Sequence, residues 1–132
     1  MLRHLIALTL ALAPPASAAT ICDAVWRDVP RARDLPVRIR LPDGSGKVPA
    51  VFWSPGLGGT RTGGEAWARA WASAGFAVIQ LEHPGSDAAV YAGTATPEDR
   101  RARVLAAASG PQLIARAADV SFIADELERR PT

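Results

Sequence analysis

Two apolar runs, Val48–Trp53 and the segment FAVIQLEH that starts at Phe76, enclose a glycine-rich break and one short helical stretch. A continuous apolar run bounded by turn residues suits a strand covered on both faces. Between the runs, Trp67, Ala70, Trp71 and Ala74 recur at helical spacing, which predicts a helix over 64–74 whose stripe faces a core. Gly75 ends that helix. Strand, helix and strand with short connections imply a parallel pair joined by a right-handed crossover, so the fold class is α/β.

Upstream, Val37-Arg38-Ile39-Arg40-Leu41 alternates at period two, as a half-solvated strand does, with both arginines facing water. Pro42 to Gly46 is a turn by composition. The two strands joined by little more than that turn are expected to run antiparallel. Downstream, Pro84–Thr96 reads as a polar loop, followed by a helix with Thr96 as N-cap, Pro97 at its first position and Asp99 in capping range. Gly110-Pro111 then breaks the pattern before a second helix, predicted to face the core along Leu113, Ala117, Val120, Ala124 and Leu127, with Arg116, Asp119 and Glu126 off that stripe.

The first residues, MLRHLIALTLALAPPASAAT, combine a basic start at Arg3, an apolar stretch, Pro14-Pro15 and the small-residue pattern Ala16-Ser17-Ala18. This is the make-up of a secretory signal peptide over 1–19, with cleavage after Ala18 or Ala19, and implies a secreted or periplasmic product. A membrane-spanning helix needs about 20 apolar residues, more than this stretch holds, so no stable membrane anchor is expected. Cys22 is preceded by Ile21, where a lipoprotein signal carries a small side chain; the thiol is either free or half of a bridge to sequence outside this chain. At 132 residues and 48% hydrophobic content the chain suits one domain with a core. Without Arg3 it carries 14 basic against 13 acidic residues, so no basic field for nucleic acid exists.

The break itself, SPGLGGTRTGG, brings backbone close to something. A dinucleotide fingerprint places a third glycine where Arg61 stands. A P-loop requires Lys-Ser/Thr where Gly64-Glu65 follow, and a glutamate there repels phosphate. The remaining chemistry is an oxyanion loop, whose glycines let backbone N–H groups face the negative charge of an acyl tetrahedral intermediate. A tight strand-to-helix turn without chemistry is the bland alternative.

From RDLPVRIRLPDGSGKVPAVFWSPGLGG through QLEHPGSD, the chain resembles the predicted dienelactone hydrolase group of secreted α/β-hydrolases, relatives of platelet-activating-factor acetylhydrolase and chlorophyllase. That group shows a strand ending in Ser-His-Gly-Leu-Gly-Gly, a helix, a strand, then His-Pro-Gly-Ser-Asp, and residues 54, 56–59 and 83–87 match position by position. The resemblance extends from about Trp26 onward, with RAADVSFIADEL similar to the helix that leads towards the nucleophile. It implies the N-terminal half of an α/β-hydrolase fold: an antiparallel start, then a parallel β-α-β unit and helices. It also implies an oxyanion loop at Gly56, Leu57, Gly58 and Gly59, with the Leu57 N–H as donor, and pocket-shaping roles for His83, Ser86 and Asp87. The pattern's histidine is replaced by Pro55, which has no N–H and drives Ser54 towards extended backbone.

His83, Ser86 and Asp87 are too close in sequence to converge as a triad, whose members come from separate loops. The G-x-S-x-G elbow of the fold is absent from these residues, so residues 20–132 are expected to be a partial domain, truncated before the nucleophile, with no catalytic residue and no activity alone. The resemblance implies hydrolysis of a small-molecule carboxylic ester by the full-length relative, by serine attack without a cofactor or metal. The alternatives are a small secreted, non-catalytic α/β binding or interaction domain, and a nucleotide-binding domain, against which the missing lysine and third glycine count.

Overall fold

The computed structural model describes residues 19–130; apart from Ala19, the expected signal peptide lies outside them. The chain is mixed α/β, with strands β1 (Thr20–Asp28), β2 (Arg33–Leu41), β3 (Ala50–Trp53) and β4 (Ala77–Leu81), and helices α1 (Glu65–Ser73), α2 (Pro97–Ala107) and α3 (Gly110–Arg129). The four strands form one sheet in the order β1-β2-β4-β3. β1 and β2 make an antiparallel hairpin, β2 pairs antiparallel with β4, and β4 runs parallel to β3. The parallel pair around a helix matches the sequence reading. The strands flanking the Pro42–Gly46 turn, β2 and β3, also run in opposite directions, but they are not neighbours, because β4 lies between them.

Every residue of β4 is buried, as suits a strand with helices on both sides; its one polar member, Gln80, donates through Nε2 to the Gly63 carbonyl at 2.8 Å. Ile79 and Leu81 join Leu35, Val37, Trp26 and Ile123 of α3 in the larger core. Val78 points to the other face, where Ala68 and Ala72 of α1 cover it. β3 is only partly buried because it forms an edge of the sheet.

Three expectations about faces are corrected. On α1 the buried residues are Ala68 and Ala72, whereas Trp67 is 61% exposed. Small side chains let the helix approach the sheet, and the indoles are displaced to its flank, where Trp71 lies 5.9 Å from Trp53 and 6.2 Å from Trp67. On β2, Arg40 does not face water: α1 covers it, and its guanidinium pairs with Glu65 at the first turn of that helix. On α3, Leu113 and Ile114 are exposed, and the buried residues are Asp119 and Ile123, with Val120 and Leu127 packed beside them.

The helix boundaries follow local chemistry. Thr96 Oγ1 accepts from the Asp99 N–H at 3.1 Å, and Ser109 Oγ accepts from that of Gln112 at 3.4 Å. Among the described residues no helix is long and apolar enough to cross a membrane. Cys22 is an exposed free thiol.

Candidate functional site

Parallel neighbours deliver their C-terminal ends to the same side of a sheet, and ligands of open α/β sheets sit there. β3 ends at Trp53 and β4 at Leu81, so the residues that follow, Ser54 and His83, emerge side by side. Ser54 Oγ lies 2.9 Å from His83 Nε2. On the other side of the ring, Nδ1 is 2.9 Å from Asp119 Oδ2 of α3. His83 and Asp119 are buried, while Ser54 is exposed.

Asp119 is held from several directions. Its Oδ1 accepts from Arg31 Nη1 at 2.9 Å and Arg33 Nε at 2.8 Å, and its Oδ2 from Arg33 Nη2 at 3.0 Å. Burial alone pushes the carboxyl pKa up, but the hydrogen bonds from His83, Arg33 and Arg31 outweigh it and hold the group below the ordinary carboxylate value. An ionised carboxylate only accepts, so His83 Nδ1 carries the hydrogen, and in the neutral ring Nε2 is left to accept from the Ser54 hydroxyl. The network thus assigns the tautomer: Ser54 O–H to Nε2, Nδ1–H to carboxylate.

Arg116, one turn before Asp119 on α3, ties the two loops together. Its Nη1 donates to Ser86 Oγ at 2.8 Å, and its Nη2 donates to the Pro55 carbonyl and, at 3.3 Å, to Ser54 Oγ. The Gly58 N–H donates to the Ser86 carbonyl at 2.8 Å and that of Gly59 to Gly56 O at 3.0 Å. The Leu57 N–H, in contrast, has no hydrogen-bond partner among the described residues. Leu57 lines a hollow of about 220 Å³ together with Ser86, Ala107, Ser109, Leu113 and Arg116. A larger one, about 390 Å³, lies at the start of α2 between Thr94 and Val104 and touches none of these groups.

The glycines of the loop answer to packing. Gly58 has φ +76°, and a Cβ there would stand 2.2 Å from the Tyr91 ring. At Gly59 a Cβ would meet Pro55 at 2.6 Å, and at Gly64, with φ +69°, the Trp53 ring at 2.4 Å. Around Gly56 the space is open.

Of the residues singled out from sequence, Leu57 and Ser86 line the hollow and His83 is the centre of the hydrogen-bonded relay. Asp87 is spent as the cap of a short 3₁₀ turn, Ala88–Tyr91, accepting from the Ala89 N–H at 2.9 Å. Among the described residues Ser86 Oγ bonds only to the His83 carbonyl and Arg116, so its hydroxyl does not reach the His83 ring or Asp87. The sequence alone assigns no role to Ser54, Arg116 or Asp119. Asp119 lies off the Leu113–Leu127 stripe of α3, although Ile123 four residues on marks a second line through it. Among the described residues no three His, Cys, Asp or Glu side chains group as metal ligands.

Compared with known proteins, the chain matches no family model, no curated protein and no solved structure.

Proposed function

We propose that this chain provides the oxyanion-binding portion of a secreted α/β-type hydrolase acting on carboxylic esters. The observation that carries the reading is the Leu57 N–H: the glycine loop after β3 commits the amides of Gly58 and Gly59 and leaves this one without a partner among the described residues, on a residue that lines a hollow. An ester carbonyl placed there would gain a donor as its oxygen becomes negative, and such a donor contributes about 3–4 kcal/mol to acyl-transfer transition states. The reversed strand β2 and the β3-α1-β4 crossover agree with the fold that the motifs imply. Serine attack on an ester requires no metal or organic cofactor.

The test is hydrolysis of p-nitrophenyl acetate and butyrate by the purified full chain. These residues are not expected to give the activity of a complete enzyme, but an oxyanion site alone leaves a residual acceleration of about 10³–10⁴ over water; weak turnover above the buffer rate is therefore expected, falling by about 10²–10³ in Leu57→Pro, which removes the N–H while circular dichroism monitors the fold. Absence of turnover in a folded wild-type chain would remove this reading. It would favour a small non-catalytic α/β binding domain, for which the missing G-x-S-x-G motif speaks.

A further inference from the structure

We infer that the outer edge of β1 is a self-association surface, on which a second copy of this chain pairs antiparallel about a two-fold axis through Val25. β1 closes one side of the sheet, with β2 as its one strand neighbour among the described residues. A free strand edge presents a row of unpaired backbone N–H and C=O groups that another strand can satisfy. The inference stands on this strand and is independent of the ester-hydrolase reading.

Alternate side chains of a strand share a face. Trp26 turns into the core with Ile123 of α3, so Ile21, Asp23, Val25 and Arg27 lie on the opposite face, and Val29 follows one residue beyond the strand. α1 packs over β4 and β2 and leaves this row uncovered: Ile21 is 48%, Val25 61% and Val29 73% exposed. The row reads apolar, acid, apolar, base, apolar. Reversed, it is complementary to itself.

With the axis on Val25, Val25 meets its own mate, Asp23 meets Arg27 of the second copy, and Ile21 meets Val29 of the second copy. Inside each copy Asp23 already accepts two hydrogen bonds from Arg38 at 2.7 Å, and Arg27 pairs with Asp34 at 2.8 Å, both pairs standing directly opposite on β1 and β2. Arg61, which also approaches Asp23 at 3.8 Å, has Glu82 at 3.7 Å as a second partner. Association therefore lines up Arg38, Asp23, Arg27 and Asp34 across four strands with the sign alternating at every step, and the axis repeats that row. Opposite charges across neighbouring strands stabilise a sheet, and like charges directly opposite destabilise it.

No adjacent register does the same. An axis on Asp23 or Arg27 sets that charge against its own mate, and an axis on Ala24 or Trp26 sets both charges against apolar side chains. Edge charges ordinarily guard a strand against pairing; these exclude the neighbouring registers and admit one. On the other face that register puts Ala24 opposite Trp26, a small side chain beside a large one. Two four-stranded sheets become one of eight strands. A contact of one strand per copy belongs to the small, transient class of interfaces, so a dimer that dissociates on dilution is expected.

Sedimentation velocity of the full chain over a wide range of concentration tests the inference. A monomer–dimer equilibrium is expected, abolished by Val25→Lys, which brings two ammonium groups together on the axis, and kept by Leu105→Lys, at a similarly exposed position on α2. A second measurement fixes the register without that variant. Residues directly opposite in antiparallel strands have Cα atoms about 4.5–5.5 Å apart, within reach of a disulfide, so Val25→Cys in a Cys22→Ala background should oxidise to a covalent dimer. In the wild-type chain Cys22 stands opposite Asp28 of the second copy, six positions or about 20 Å along the strands from its own mate, and should form none. A wild-type chain that stays monomeric at every concentration overturns the inference. So does a dimer that survives Val25→Lys, one lost equally in Leu105→Lys, or one that oxidises through Cys22 and not through position 25.

Discussion

Asp119 and His83, 36 positions apart in sequence, meet through Oδ2 and Nδ1 at 2.9 Å, and neither side chain is exposed to solvent. A buried carboxylate is costly unless paired and hydrogen-bonded, and Asp119 obtains its compensation from His83, Arg31 and Arg33 together. The contact therefore serves two ends at once: it fastens α3 to the loop after β4, and it sets the orientation of the ring that reaches Ser54.

Removing one member of a buried charge network leaves the others uncompensated. Asp119→Ala is expected to destabilise the chain by about 3–5 kcal/mol in urea denaturation. Asp23→Ala, which breaks the more exposed pair with Arg38 across β1 and β2, should cost no more than about 1 kcal/mol. Similar losses for both variants would contradict the central place of Asp119.

The pH dependence has a definite sign. Because the Asp119 carboxyl lies below its ordinary value of 3.8 when folded, the unfolded chain binds its proton first as pH falls. Its stabilisation is complete above that ordinary value and is lost as pH drops through the depressed folded one. Urea midpoints measured from neutral pH to about pH 2 should fall in this acid window, and Asp119→Asn should flatten that part of the decline.

Gly58 and Gly56 should separate within one loop. Gly58→Ala places a methyl group against Tyr91 at a positive φ, an expected cost of about 1–3 kcal/mol with a disturbed loop. Gly56→Ala meets open space and should stay within about 0.5 kcal/mol of wild type. Thermal melts of the two variants provide the comparison.

The buried face of α3 can be checked by truncation. Ile123→Ala removes a fully buried side chain from the core shared with Leu35, Ile79 and Leu81, with an expected loss of about 2–5 kcal/mol. Leu113→Ala, on the face that sequence periodicity favoured, should change stability by about 0.5 kcal/mol or less because Leu113 is 68% exposed.

Export gives a readout independent of the fold. If residues 1–19 act as a signal peptide, the protein recovered outside the cytoplasm begins at Ala19 or Thr20 by N-terminal sequencing. An N-terminus at Met1 in that fraction would reject the expectation.

Much of the architecture is written locally. The run ending at Leu81, the stop at Gly75 and the cap at Thr96 act over a few residues, so strand, helix and turn could be read from them without knowing the neighbours. Periodicity served less well where polar side chains are buried. The apolar stripe through Leu113 and Ala117 concealed that Asp119 is inside, because a carboxylate with two arginines and a histidine to receive it behaves as a core residue. Arg40 misled for the same reason, its partner Glu65 lying on a helix whose position the strand pattern does not specify.

The amino-acid sequence by itself determined the β-α-β unit, the helix ends and the dense glycine loop, since each depends on short-range sterics and hydrogen bonding. Only the tertiary structure decided that β4 enters between β2 and β3, and with it which loops emerge together. That lateral order places Ser54 against His83, and the rotation of α3 on the sheet brings Asp119 to the same ring. No local rule relates three residues on separate elements; their meeting is a consequence of how the apolar faces pack.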